Sequence, residues 1–207
     1  MQDVLALVDR ARAETVTHND RLAAKFNLSG QDAPIAGLNM ANLHAVVALE
    51  LLMYYEQIWR TLPISAVPDV ARQRQENAER VMTVSKAAFV LALSAFEFSA
   101  KQALIARPGK IAPITGRIYL RKIIQESVTA GLIPAGDDHA WEGVIELRNI
   151  LVHNNGIADA TARYNIPTCQ QINFVAGVMT SGNLRFFPEI LCWSIGAFSR
   201  WCDAFLS

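Results

Sequence analysis

Three side chains near residue 150 are of the types that act on phosphate esters. Arg148, Asn149 and His153 lie within one six-residue segment. A histidine can transfer protons as a general base or acid, and a planar guanidinium binds phosphate oxygens and neutralises charge that develops on them. On a helix, Asn149 lies four residues before His153 on the same face, where its amide can orient the imidazole.

Arg148 has an unexpected position on the helix predicted for this segment. At about 100° per residue, it falls in the apolar arc that includes Trp141, Val144 and Leu147. Burying an unpaired guanidinium is costly, so a carboxylate, an exposed groove or a bound phosphate must compensate its charge. Glu97 is a candidate partner for this charge. Alternatively, the apolar stem of Arg148 lies along the apolar surface while its guanidinium remains in water.

His153 does not face Arg148 on a single ideal helix. The two positions are separated by roughly 140° around the axis and about 7.5 Å along it. For both to serve one site, the helix end must loosen at Asn154-Asn155-Gly156, Arg148 must extend fully, or a second subunit must contribute. A histidine at a helix C-terminus is also favoured by the helix dipole without any catalytic role.

The apolar periodicity predicts an all-α, up-and-down bundle of about five to six helices with a short hairpin before the last one. We interpret the chain as one domain, in which residues 1–65 form a helical extension and residues 66–207 form the core bundle. Residues 27–38 are predicted as a loop, and the hairpin as residues 169–187 with its turn at Ser181-Gly182-Asn183. Three helices are predicted in the first half of the chain: residues 2–26, a second from Asn39 or Asn42 to about residue 62, and a segment from 69 to about 106 that is either one helix or two. Three more are predicted in the second half: residues 114–130, residues 138 to the 154–156 triplet, and residues 188–206.

Composition limits the class of protein. The 207 residues are 52% hydrophobic, enough for one sizeable core, and 19 basic residues balance 19 acidic ones. The longest dense apolar stretch, residues 87–98, is too short to span a bilayer, and no secretory signal is visible. We therefore expect a soluble, cytoplasmic protein without a membrane partner. Cys169, Cys192 and Cys202 lack metal-site spacing and are odd in number, which predicts reduced, packed thiols and neither a metal nor a cofactor.

Basic residues are concentrated in one stretch despite the zero net charge. Six occur between residues 101 and 125, with no acidic residue before Glu126: Lys101, Arg107, Lys110, Arg117, Arg121 and Lys122. This predicts a basic surface beside the 148–153 segment, with Lys101, Arg121, Lys122 and Asn154 as substrate-binding candidates. An ordinary solvated helix face is the alternative.

The string Glu146-Leu147-Arg148-Asn149-Ile150-Leu151-Val152-His153-Asn154-Asn155-Gly156 resembles the signature of the HEPN superfamily (higher eukaryotes and prokaryotes nucleotide-binding domains). That signature is an arginine, a polar residue, a few apolar residues and a histidine at a helix end. The upstream helix with Ser94 and Glu97 and the late hairpin and helix also look like the family's arrangement. The resemblance covers roughly residues 80 to 206.

The resemblance implies a bundle that dimerises with the Arg-His helices facing each other, and in many members this pocket cleaves RNA without metal. It implies catalytic roles for Arg148, Asn149 and His153, products with 2′,3′-cyclic phosphate and 5′-hydroxyl ends, and an antitoxin or other regulatory partner. Phage defence, toxin-antitoxin systems and stress response are the implied settings. Members paired with nucleotidyltransferase antitoxins carry a modified tyrosine two residues after the histidine; this chain has Asn155 there, so that form of regulation is not expected.

Two alternatives remain at this point. The chain can be a non-catalytic module of the same fold that binds nucleotide, RNA or a protein partner. It can also be a structural helical protein in which Arg148 belongs to a buried ion pair.

Overall fold

The computed structural model describes residues 1–63, 67–134, 136–180 and 182–207. Within these ranges the chain forms six helices and one two-stranded sheet, which confirms the predicted all-α bundle. The helices are α1 (Gln2–Phe26), α2 (Ala33–Thr61), α3 (Pro68–Ala106), α4 (Leu120–Thr129), α5 (Asp137–His153) and α6 (Phe186–Leu206), and the strands are β1 (Ala162–Tyr164) and β2 (Ile172–Phe174).

Helix α2 begins earlier than predicted, inside the segment interpreted as a loop. Its first turn holds Pro34, which is tolerated there because that turn's N–H groups have no intrahelical acceptor. Gly37 lies at a close approach of α2 to α3, since a Cβ at this position would be 2.4 Å from the Cβ of Ser99. The glycine that suggested a loop is therefore a contact point between two helices.

Helix α3 is one continuous helix of 39 residues and runs antiparallel to α2. The Ser99 hydroxyl donates to the Ala33 carbonyl at one end of the pair, and the Asn77 amide donates to the Tyr55 carbonyl near the other. By length and composition alone, α2 and α3 could each cross a membrane, a test that core helices of soluble proteins also pass.

Helix α4 is shorter than predicted because the residues before it are not helical. Gly116 has φ +75°, and Tyr119 is extended with φ −139° and ψ 164°. The helix therefore begins only at Leu120. Residues 111–119 form a loop that leads to the end of the bundle where α5 terminates.

The predicted hairpin is wrong in its pairing. Strand β2 pairs antiparallel with the earlier strand β1, in a register that places Arg163 opposite Asn173. Ile172 and Phe174 of β2 are buried in the core. Ser181, in the predicted turn, lies outside the described residues, and Met179 instead forms an isolated bridge with Ile157.

Helix α6 is the most buried of the described helices and packs against both α1 and α3. Phe96 of α3 stacks on Phe198, which stacks on Trp201 and then Phe205. The indole N–H of Trp201 donates to the buried Ser127 hydroxyl of α4 at 2.9 Å. Helices α1 and α2 contribute to this same core, through side chains that include Val4, Val8, Leu22, Leu38 and Leu52.

The three cysteines are free thiols, of which Cys192 and Cys202 are buried and Cys169 is half-buried. Burial raises the pKa of Cys169 to about 11 and that of Cys192 to about 12, so both thiols stay protonated at neutral pH.

Candidate functional site

The end of α5 forms one wall of a cleft of about 740 Å³. Helices α3 and α4 and the loops around residues 117 and 159 supply the other walls. The cleft is lined by Leu93, Glu97, Arg117, Tyr119, Leu120, Arg121, Ile145, Glu146, Arg148, Asn149, Ile150, His153, Asn154 and Asp159. The three residues identified as catalytic candidates therefore line the same cleft within one chain.

The sequence Asn154-Asn155-Gly156 ends α5 where the cleft opens. Asn155 and Gly156 adopt the left-handed conformation, with φ values of 53° and 87°, as asparagine and glycine do most readily. The backbone N–H groups of Asn154 and Gly156 both donate to the Ile150 carbonyl at 3.0 Å. This cap leaves His153 as the last helical residue, exposed at the negative end of the helix dipole.

Arg148 is mostly buried and has several polar partners. One terminal nitrogen lies 3.4 Å from the Ser94 hydroxyl and 3.8 Å from the Glu97 carboxylate, while the other donates to the Asn149 side-chain oxygen at 3.2 Å. The charge that the sequence placed in an apolar arc is thus compensated by α3. A guanidinium has five N–H donors, so these two hydrogen bonds leave donors for a ligand.

Asn149 does not hold His153 in this structure. The Asn149 oxygen accepts from Arg148, and no Asn149–His153 hydrogen bond occurs among the described residues. The expected orientation of the imidazole by Asn149 is therefore not observed. The amide instead positions the guanidinium.

Arg148 and His153 both border the cleft although they lie on different sides of the helix. The cleft wraps around the end of α5, and its walls include residues from Ile145 to Asn154. Side chains on different sides of the last turns can therefore reach one space. Both residues therefore border the cleft in a single chain whose α5 is helical through His153.

Only two of the four predicted substrate-binding residues line the cleft. Arg121 does so and pairs with Glu146, and Asn154 does so and donates to Asp159 at 2.5 Å. Lys101 lies outside the lining and is 2.5 Å from a Glu97 oxygen. Lys122 also lies outside it and donates to the Thr115 carbonyl at 3.0 Å.

The cleft does not present the basic surface that the sequence predicted. Arg117, Arg121 and Arg148 are balanced there by Glu97, Glu146 and Asp159. The sequence count missed this balance because the acids come from other elements. Among the residues that the structure describes, Arg117 is the cleft arginine without an ion-pair partner.

Three cleft residues were not predicted as site residues from the sequence: Arg117, Tyr119 and Asp159. Tyr119 is an exposed aromatic in the loop before α4, and Asp159 follows the cap of α5. For Tyr119, the available signal was an aromatic residue beside basic residues in a segment that contains glycine and proline. Asp159 had no distinguishing pattern.

No three histidine, cysteine or acidic side chains in the described ranges are grouped so that they could hold a metal ion. No protein-family model, curated protein or solved structure matches the chain, so the resemblance to the HEPN superfamily rests on residues 146–156 and the features quoted with them.

Proposed function

We propose that this protein is a metal-independent endoribonuclease of the HEPN type. The observation that carries the proposal is the shared cleft, which Arg148, Asn149 and His153 line together at the end of α5. The sequence resemblance supplies the reaction, and the geometry is compatible with it. The biological setting that we propose, in the cytoplasm, is defence, a toxin-antitoxin system or a stress response, with an antitoxin or other regulatory partner.

The reaction proposed is attack of the ribose 2′-oxygen on the adjacent phosphorus, with cleavage of the bond to the 5′-oxygen. The neutral imidazole of His153 takes the proton of the 2′-hydroxyl, and an imidazolium gives a proton to the leaving 5′-oxygen. The free N–H donors of Arg148 stabilise the charge on the phosphorane oxygens. The products carry a 2′,3′-cyclic phosphate and a 5′-hydroxyl.

A homodimer with the site at its interface would supply both proton-transfer groups as two copies of His153. Exposed apolar side chains on α3 and α5, the two helices that carry Glu97 and Arg148, support this arrangement. Phe98, next to Glu97, is 52% exposed, and Leu91 and Val152 are also exposed. Phe98→Glu should shift the sedimentation coefficient from dimer to monomer and lower cleavage, whereas Val16→Glu, at an exposed apolar residue of α1, should do neither.

The direct test is cleavage of labelled RNA in the presence of a chelator. Wild type should generate 2′,3′-cyclic phosphate ends, and His153→Ala should be inactive. His139→Ala is the matched control, because His139 is exposed at the opposite end of the same helix. Undiminished cutting by His153→Ala would eliminate the proposed mechanism.

The balance of charge in the cleft favours one second candidate, a binding module that does not cut. The Glu97 carboxylate near Arg148 reduces the positive potential that a phosphorane would experience. This alternative predicts RNA or nucleotide binding that is weakened by Arg148→Met, with no product under any buffer condition. A cyclic-phosphate product from the wild type would reject it.

A further inference from the structure

The loop before α4 presents two side chains to the cleft that have no role in the proposed proton transfers. Arg117 and Tyr119 both line the cleft, whereas Ile118 between them packs against the hydrophobic core. Tyr119 is extended, and alternate residues of an extended segment point to the same side. The loop therefore presents a cation and an aromatic ring together while its middle residue is anchored.

This loop is fixed to the bundle on both sides of the pair. Gly116 turns the chain with φ +75°, and the Lys122 ammonium donates to the Thr115 carbonyl at 3.0 Å. The same ammonium lies 5.4 Å from the centroid of the Tyr119 ring. The ammonium occupies one face of the ring, and because Tyr119 lines the cleft whereas Lys122 does not, we expect a base to stack on the opposite face.

The ring has both the exposure and the space that stacking requires. Tyr119 remains 42% exposed although Ile118 and Leu120 on either side are half-buried or buried. The cleft of about 740 Å³ falls within the size range of pockets that enclose small organic ligands. A site for the phosphate alone would leave most of this volume and the ring unused.

We propose that Tyr119 and Arg117 form a nucleotide subsite, in which Tyr119 stacks on a base beside the scissile phosphate and Arg117 binds a flanking phosphate. Any base has a face that can stack, so the subsite selects unpaired bases without selecting one sequence. The ligand class is therefore single-stranded RNA rather than a duplex. The inference rests on the proposed function in taking RNA as the ligand, but it does not require cleavage.

The test measures binding of single-stranded 2′-fluoro RNA, which lacks the attacking hydroxyl and cannot be cut. An intact oligonucleotide is compared with one of the same length in which every position is abasic, so the result does not depend on the register of binding. Tyr119→Ala should bind the intact oligonucleotide about 10-fold more weakly than wild type does, within the range for loss of one stacked base. Wild type and Tyr119→Ala should bind the abasic oligonucleotide equally.

Substitutions separate stacking from bulk and from folding. Tyr119→Phe should bind as wild type does, and Tyr119→Leu, which keeps apolar volume, should bind as Tyr119→Ala does. Tyr54→Ala removes an exposed tyrosine of α2 outside the cleft and should change nothing. Arg117→Gln should weaken binding uniformly and reduce the salt dependence by about one phosphate contact, whereas Arg72→Gln, at an exposed arginine of α3, should not.

The outcomes separate this inference from the nuclease proposal. If Tyr119→Ala weakens binding of the intact and the abasic oligonucleotides by the same factor, or of neither, the subsite is overturned even if the wild type cuts RNA. A loss confined to the intact oligonucleotide supports the subsite even if the wild type cuts nothing. Failure of the wild type to bind any oligonucleotide overturns both.

Discussion

Replacing Arg148 by methionine distinguishes a catalytic arginine from a structural one. The guanidinium lies 3.8 Å from the Glu97 carboxylate, with 22% and 17% of the two side chains exposed. Opposite unit charges at about this distance attract by about 1 kcal/mol in water and about 4 kcal/mol at an effective dielectric constant of about 20. Because both groups keep solvent contact and the distance exceeds that of a hydrogen bond, we expect a pair energy of about 1 kcal/mol, near that of exposed pairs.

The two roles predict different losses. Methionine keeps an unbranched apolar stem, and Glu97 remains beside the Lys101 ammonium at 2.5 Å. The free energy of unfolding should therefore fall by only about 1 kcal/mol. RNA cleavage should fall by about 10²- to 10³-fold, since a donor to the developing negative charge is lost.

The assay combines urea unfolding with single-turnover cleavage, and includes Glu97→Gln and the double variant. The double-variant cycle gives the energy of the ion pair directly. A loss of stability above about 3 kcal/mol, the scale for breaking a buried pair, together with an unchanged cleavage rate would rule out a catalytic role for Arg148. Arg148 would then be part of the scaffold.

Three further predictions concern the scaffold and are checked by chemical denaturation. Gly143→Ala should lower the free energy of unfolding by about 1–3 kcal/mol, because the new Cβ would lie 2.4 Å from a β1 side-chain atom; Gly30→Ala, with nothing within 4 Å, should have no such effect. Trp201→Phe should cost about 1–3 kcal/mol because the buried Ser127 hydroxyl loses its indole partner. Hydrogen bonds from two basic side chains of α1 lower the pKa of Asp203 below its ordinary 3.8. The stability advantage of wild type over Asp203→Asn should thus be constant above about pH 5 and shrink as the pH falls below about 4.

Local patterns predicted the helices where apolar periodicity and end signals agree. Residues 2–26 and the start of α5 near residue 138 were placed from such patterns, and the Asn-Gly stop after His153 is observed as left-handed backbone. The start of α2 was missed because Gly37 was interpreted without its neighbour Ser99 across the helix pair. Strand pairing depends on contacts between distant residues, so a short apolar segment such as β2 could be recognised but not assigned a partner.

The types of residue in the candidate site were predicted better from the sequence than their arrangement in space. Arg148 was recognised as a charge that needs a partner, and the structure places Glu97 near it. Which charges pair with each other around Arg148 depends on which elements meet in the fold. Lys101 forms an ion pair with Glu97, and Arg121 forms one with Glu146. Tyr119 reaches the cleft only through the loop that replaces the predicted first turns of α4.

The packing of α6 against α1 has a consequence for how the protein is made. Arg21 donates to Asp203, 182 positions later in the chain, and Phe96 needs Phe198 as its stacking partner. Nascent chains on the ribosome thus lack the helix that supports α3 and α5 until nearly the whole of residues 1–207 has emerged. An organised cleft therefore requires that α6 has already been synthesised, and the activity proposed above should be absent from nascent chains that still lack this helix.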